Sequence, residues 1–213
     1  MGKQKQTNTY ACFVKPLLDR FLGITGLVFL SWLFLLITAA IVLDDPGPVL
    51  FRQKRVGQKK DGKITYFEIL KFRTMKTSTP KDVPTHLLED PEQYITRVGH
   101  FLRRTSLDEL PQLWNIGIRG NLSIVGPRPA LWNQDDLVAE REKYGANDVC
   151  PGLTGWAQVN GRDELSIEEK ARLDGVYARN ISFAFDCRCF FKTILSVLRE
   201  DGVVEGKQST AGK

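Results

Sequence analysis

Residues 21–43, "FLGITGLVFLSWLFLLITAAIVL", run for 23 positions without a charge, and their reading decides the fold. As one helix they reach about 34 Å at about 1.5 Å per residue, enough for a hydrocarbon core of about 30 Å. Fifteen of them are Leu, Ile, Val or Phe. At roughly −0.3 to −0.6 kcal/mol each, insertion is favoured by an upper figure of about 5 to 9 kcal/mol. A cleaved signal peptide fits poorly because the run is too long and lacks a small-x-small site. A fully buried soluble helix is the alternative. Lys15 and Arg20 precede the run while Arg52, Lys54 and Arg55 follow it, so the positive-inside rule has no winner. Entering and leaving on one face satisfies both flanks but needs a bend, normally from proline or small residues. No proline lies between Pro16 and Pro46, and the midpoint reads Ser31-Trp32. A straight span therefore stays open.

The 213 residues suffice for one compact domain plus a short appendage. Charge is uneven. Residues 44–81 carry ten Lys/Arg against four acids, a local +6 in a chain of net +5. Such a block suits phosphates of lipid headgroups, nucleotides or nucleic acid, unless it is simply a solvated basic surface. Four cysteines are too few for a disulfide scaffold, and Cys187-Arg188-Cys189 is not a usual zinc spacing. With only His86 and His100 present, a mechanism must rest on acids, lysines and arginines. Neither Gly-x-Gly-x-x-Gly after a strand nor Gly-x-x-x-x-Gly-Lys-Ser/Thr occurs, which argues against Rossmann and P-loop sites.

Pro46, Gly47 and Pro48 stop the apolar helix. Two β-rich runs then flank Asp61-Gly62, as in a hairpin. On the second run the period of two puts Leu70 and Phe72 on one face, Lys71 and Arg73 on the other. That cation pair fits a diphosphate or an edge strand's solvent face. Residues 77–94, broken by Pro80, Pro84 and Pro91, read as a loop. Residues 92–117 read as helix interrupted near Thr105–Pro111, 119–131 as a turn, short strand and proline-fixed loop, and 149–164 as loop. Helices are expected over 133–145, 166–180 and 183–200, the last amphipathic.

The interruption holds "RRTSLDELPQLWN", residues 103–115. Ser106-x-x-Glu109 has capping-box spacing, with Asp108 in the first turn. Against that, Pro111 removes a hydrogen bond inside a helix begun at Ser106. Adjacent acids at a phosphate site need a bridging divalent cation, and magnesium takes one or two carboxylate oxygens alongside phosphate oxygens. Neighbouring helical residues point roughly 100° apart, so one acid can hold metal while the other attacks phosphorus. Arg103, Arg128, Lys71 and Arg73 supply charge neutralisation. In "GPRP", Pro127 and Pro129 stiffen the backbone around Arg128, whose fork suits phosphate.

Six ordered stretches, "FRQKRVG", "KFRTM", "RRTSLDELPQLWN", "LSIVGPRP", "PGLTGWAQVNGR" and "ARNISFAFD", closely resemble the bacterial sugar transferases called monotopic phosphoglycosyl transferases. The likeness runs from about residue 13 to residue 205. It implies transfer of a phosphosugar from a UDP-sugar donor to polyprenyl (undecaprenyl) phosphate with release of UMP, the first membrane step of surface glycoconjugate or exopolysaccharide assembly. It implies ping-pong chemistry through a covalent phosphosugar–aspartate, with Mg2+. By position the nucleophile is Asp108 and its metal-linked partner Glu109, and both stand as candidate metal ligands. Lys71, Arg73, Arg103 and Arg128 fall at phosphate and active-site charge positions, and Arg162 and Asp186 where polar residues lie near the site.

The implied fold is α+β and mainly helical: an N-terminal re-entrant membrane helix, interfacial amphipathic helices and a helix-associated β-hairpin, without a Rossmann fold. Residues 1–43 form the membrane-inserted segment and 44–213 the catalytic domain on the cytoplasmic face of the bacterial inner membrane. Membrane lipids are expected partners and nucleic acid is not; a homodimer is left open. One departure matters, since the family usually breaks its membrane helix at Ser-Pro. Two other readings are a glycosyltransferase that releases UDP, and a basic membrane module in which "SLDE" is only a cap. The identity of the sugar is not legible.

Overall fold

A computed structural model describes residues 8–79, 91–161 and 164–198. Arg162, most of the expected 77–94 loop and residues 199–213 lie outside the described residues.

The apolar run forms two helices, not one. After a π-helical turn over Tyr10–Val14, α1 spans Lys15–Phe29 and α2 spans Ser31–Asp44, with Leu30 between them. The pair is bent by 61° and, among the described residues, no single helix is long and apolar enough to cross a membrane. The bend needs no proline, because each arm is docked on a different surface. Gly23 of α1 lies against Gly117, where a Cβ would stand 2.6 Å from the Gly117 nitrogen. Ile37 and Ile41 of α2 pack instead on Phe72 and Leu102. Two contacts that are not collinear fix the angle where the sequence lacks its usual local cause.

The hairpin forms as expected. β1 (Leu50–Lys60) and β2 (Lys63–Phe72) are antiparallel around Asp61-Gly62, pairing Phe51 with Lys71 and Arg55 with Phe67. Gly62 has φ +76° and Asp61 φ +49°, the left-handed pair a type I′ turn requires. Leu70 and Phe72 are buried as the alternation implies.

Next come α3 (Arg97–Arg104), a 3-10 turn over Leu107–Glu109, the one-turn α4 (Gln112–Trp114) and a π-helical segment, Asn115–Arg119. Thr96 caps α3 through the Gly99 N–H, and the Asp44 carboxylate accepts from the Val98 N–H. The end of α2 and the start of α3 thereby satisfy one another.

The stretch expected as loop over 149–164 contains a strand. β3 (Ser123–Val125) pairs in parallel with β4 (Gly152–Thr154). Three residues flanked by Pro151 and Gly155 carry too little alternation to show as a strand. Helices α5 (Asp135–Tyr144), α6 (Ile167–Arg179) and α7 (Phe183–Leu198) complete the described chain. A capping box is made at Ser166 and Glu169 of α6.

Candidate active site

Ser106 does not cap a helix. It sits at φ +56°, ψ 17°, with no side-chain cap bond, so the capping-box reading of "SLDE" fails on the backbone itself. A left-handed serine is strained, and such strain gathers where a neighbouring side chain must be aimed. The 3-10 turn after it ends before Pro111 and sets Asp108 inward, 9% exposed.

The hairpin brings cations to this turn. Lys71, at the end of β2, places Nζ 2.7 Å from Glu109 Oε1 and 3.7 Å from Asp108 Oδ2. Arg128 Nη2 donates to the same Glu109 Oε1 at 3.1 Å. Arg103 donates through Nε to the Thr74 hydroxyl at 2.9 Å, and its charge, like that of Arg128, reaches Asp108.

Asn115, fully buried, holds the register between these elements. Its Oδ1 accepts from the Leu70 N–H at 3.0 Å and its Nδ2 donates to the Glu68 carbonyl at 2.8 Å. One side-chain amide thus serves as a further strand beside β2, one residue from Lys71. The "GPRP" loop is pinned from three sides. The Gly126 N–H donates to Thr154 O, Val56 N–H to Ala130 O, and Arg141 Nη2 to the Arg128 carbonyl at 2.9 Å. Arg141 is itself buried against Asp174 at 2.6 Å. Sequence reasoning misses Asn115 and Arg141, because a lone amide and a mid-helix arginine have no spacing signature.

The two acids face different environments. Burial pushes the Asp108 carboxyl up, against the pull of Lys71. Burial also acts upward on Glu109, but Arg128 and Lys71 more than reverse it and hold that carboxyl at about 2. Adjacent carboxyls driven apart in this way can divide roles.

Of the eight residues expected at the site, Asp108, Glu109, Lys71, Arg103 and Arg128 come together. Arg73 does not join them; its guanidinium binds Asp45 and the Pro48 carbonyl, behind α2. Asp186 is buried elsewhere, accepting from Lys15 Nζ, the Tyr10 hydroxyl and the Tyr177 hydroxyl, each at 2.7 Å. It ties the start of α1 to α6 and α7.

A magnesium ion fits the donor set only with substrate help. Among the described residues no group of three or more His, Cys, Asp or Glu side chains is placed to hold a metal. Lys71 and Arg128 both engage Glu109 through Oε1, so Oε2 is the oxygen Glu109 could offer a metal alongside Asp108. Two carboxylate oxygens plus phosphate and water suit Mg2+.

A family model described as bacterial sugar transferase matches residues 10–200. An uncharacterized sugar transferase, EpsL of Bacillus subtilis (strain 168), is 39% identical over 199 residues, covering 92% of this chain and 94% of its own length. The UDP-glucose:undecaprenyl-phosphate glucose-1-phosphate transferase of Escherichia coli (strain K12) is 40% identical over 181 residues, 79% of this chain and 36% of that protein. The UDP-galactose-lipid carrier transferase of Erwinia amylovora is 39% identical over 198 residues, 81% of this chain and 39% of that protein. The chain thus spans a little over a third of the length of the last two.

Proposed function

The chain belongs to the bacterial sugar transferase family, and from that premise we propose that it moves a phosphosugar from a UDP-sugar to polyprenyl phosphate, releasing UMP. Relatives whose names state that donor and acceptor class support the substrates. The observation that carries the chemistry is the buried Asp108, its carboxyl pushed above its ordinary pKa by burial, beside an ionised Glu109 that gathers Lys71 and Arg128.

A carboxylate oxygen of Asp108 attacks the sugar-bearing phosphorus. The new O–P bond forms as the bridging P–O bond breaks, and its electron pair leaves on UMP. A phosphate oxygen of the acceptor then attacks the same phosphorus, and the Asp108 oxygen departs as carboxylate. Lys71 and Arg128 offset charge on the phosphoryl oxygens. Glu109 positions both cations, and together with Asp108 it would hold Mg2+. When bound, that ion would neutralise phosphate charge and orient the diphosphate.

The bent pair and α7 support attachment to one membrane face. Phe29, Leu35 and Leu43 are each more than 70% exposed, and Phe183 and Phe191 of α7 also point outward. Apolar area of this kind, unpartnered, suits lipid. A re-entrant pair on the cytoplasmic leaflet places the basic hairpin beside the phosphate groups of its substrates.

The test is the mass of the intact protein quenched after mixing with donor but without acceptor, together with the identity of the released nucleotide. One sugar-phosphate added per chain and UMP in solution are expected. Released UDP, or no adduct with a donor that supports turnover, sinks the proposal.

A further inference from the structure

Next to the carboxylate pair lies a small cleft whose charged lining is all of one sign. Arg55, Lys71 and Arg128 line it together with Gln112, and no carboxylate does. Lys71 and Arg128 belong to the site described above. Arg55 and Gln112 do not, and each has capacity left over.

Gln112 is 1% exposed, and among the described residues its Nε2 has no hydrogen-bond partner. A buried donor left unpaired costs about 1–3 kcal/mol, and native proteins seldom keep one without a use. Arg55 donates only to neutral oxygens: Gln53 Oε1 through Nε and Nη2 at 3.1 and 2.6 Å, and the Pro129 carbonyl through Nη1 at 3.0 Å. A guanidinium has five N–H groups, so part of its fork remains. Among the described residues it forms no ion pair. Burial, and then the Arg128 charge nearby, lower its hold on the proton to about 10.

Size narrows the occupant. The free space inside the cleft is about 10 Å³, room for one water-sized atom such as a single phosphate oxygen. One phosphate oxygen can enter with the rest of its group at the mouth; a sugar or a base cannot.

The stereochemistry of displacement says which phosphate. Entering and leaving oxygens stand roughly in line across phosphorus. Asp108 enters in the first half of the proposed reaction and leaves in the second. The departing nucleotide's oxygen and the acceptor's oxygen must therefore occupy one and the same position, opposite Asp108. Both are phosphate monoesters.

We infer that Arg55 and Gln112 form a phosphomonoester subsite that receives the phosphate of the departing nucleoside monophosphate and then the phosphate of the lipid acceptor. This rests on the reading under Proposed function. Arg55 supplies charge and two-pronged donation, Gln112 a buried N–H, and Lys71 and Arg128 link the subsite to the carboxylates.

Arg55→Lys and Gln112→Glu test it in the full chain in detergent, with melting curves to establish that each folds. Two ligands are followed separately: UMP, by its dissociation constant, and a short-chain polyprenyl phosphate, by the concentration dependence of adduct consumption. Both constants are expected to rise about tenfold or more, about 1.4 kcal/mol, and by similar factors. A folded variant in which neither rises, or only one does, overturns the shared subsite. If Gln112→Glu does not fold, Arg55→Lys carries the test, since it keeps the charge and loses only the fork. Wild-type protein that neither binds nor releases UMP would instead overturn the proposed reaction; wild-type binding with unaltered variants overturns this subsite alone.

Discussion

Asp108 and Glu109 are consecutive residues that share one ammonium group, Lys71 Nζ at 3.7 and 2.7 Å, yet their carboxyls are driven in opposite directions. The difference lies in who else attends them. Glu109 also receives Arg128 at 3.1 Å, whereas burial dominates at Asp108. One carboxylate is held as a permanent anion and the other is kept poorly stabilised, which is what a nucleophile requires.

The pH profile of adduct formation should report Asp108. Its folded-state pKa lies above the ordinary 3.8, through burial first. The rate should climb as pH rises through that higher midpoint, while Glu109 at about 2 adds no step there. Rapid-quench measurement of adduct between about pH 4 and 8 checks this. A rate already flat at the acid end goes against it.

The two acids should also part company in stability. Glu109, lowered from 4.5 to about 2, contributes stability that is full above 4.5 and lost as pH falls toward 2. Glu109→Gln should thus cost on the order of 3 kcal/mol at neutral pH and remove most activity. For Asp108 the sign reverses: the raised group penalises folding once pH exceeds its folded value. Asp108→Asn should abolish turnover while leaving the thermal midpoint unchanged or higher. If Asp108→Asn melts well below wild type, the electrostatic account of the pair is wrong.

Legibility follows the range of the interactions. The hairpin and helices α5 to α7 are readable because period, Asp-Gly and capping residues act within a few positions. The acid pair and the "GPRP" arginine are readable as chemistry that wants phosphate. Arg73 and Asp186 illustrate the limit: each has the right residue type, but Asp45 and the Lys15–Tyr177 group, both remote in sequence, take them. The 61° bend is equally hidden, because Gly23 meets Gly117 across 94 residues. Arg55 is legible only as one of ten cations in the basic block over 44–81, and nothing in its own spacing singles out Gln112.

Gly23→Ala should loosen the helix pair. The added methyl would sit 2.6 Å from the Gly117 nitrogen and 2.8 Å from its Cα, and backbone cannot yield as a flexible side chain can. A loss of about 1–3 kcal/mol is expected from such overpacking, read as a lowered melting point and faster proteolysis ahead of Pro46. Gly62→Ala is the control on strained backbone without crowding, since nothing lies within 4 Å of its Cβ position.

Tyr177→Phe separates structure from chemistry at Asp186. It deletes the hydroxyl that donates to Asp186 Oδ1 at 2.7 Å, with the Val125 carbonyl also 2.9 Å away, and leaves a buried carboxylate with fewer partners. Stability should fall by about 1–3 kcal/mol, with activity per folded molecule retained. A large loss of activity in protein that melts normally would return Asp186 to the reacting centre.

Trp32→Pro should be tolerated. Residue 32 is the second residue of α2, where a helix has no internal partner for the N–H and proline's fixed φ is acceptable. Leu30 already leaves the helical line at φ −94°, ψ 5°, and Trp32 is 60% exposed, so little packing is lost. The proposed topology can be measured on the same variant. Single reactive cysteines placed at residues 8–11 in a background with Cys12, Cys150 and Cys187 replaced by serine, Cys189 being buried, and labelled from each side of sealed membranes, should react from the cytoplasmic side with residue 32 as Trp or Pro alike. Labelling from the opposite side in wild type, with a switch on adding proline, would mean that the bend depends on residue 32 and not on docking.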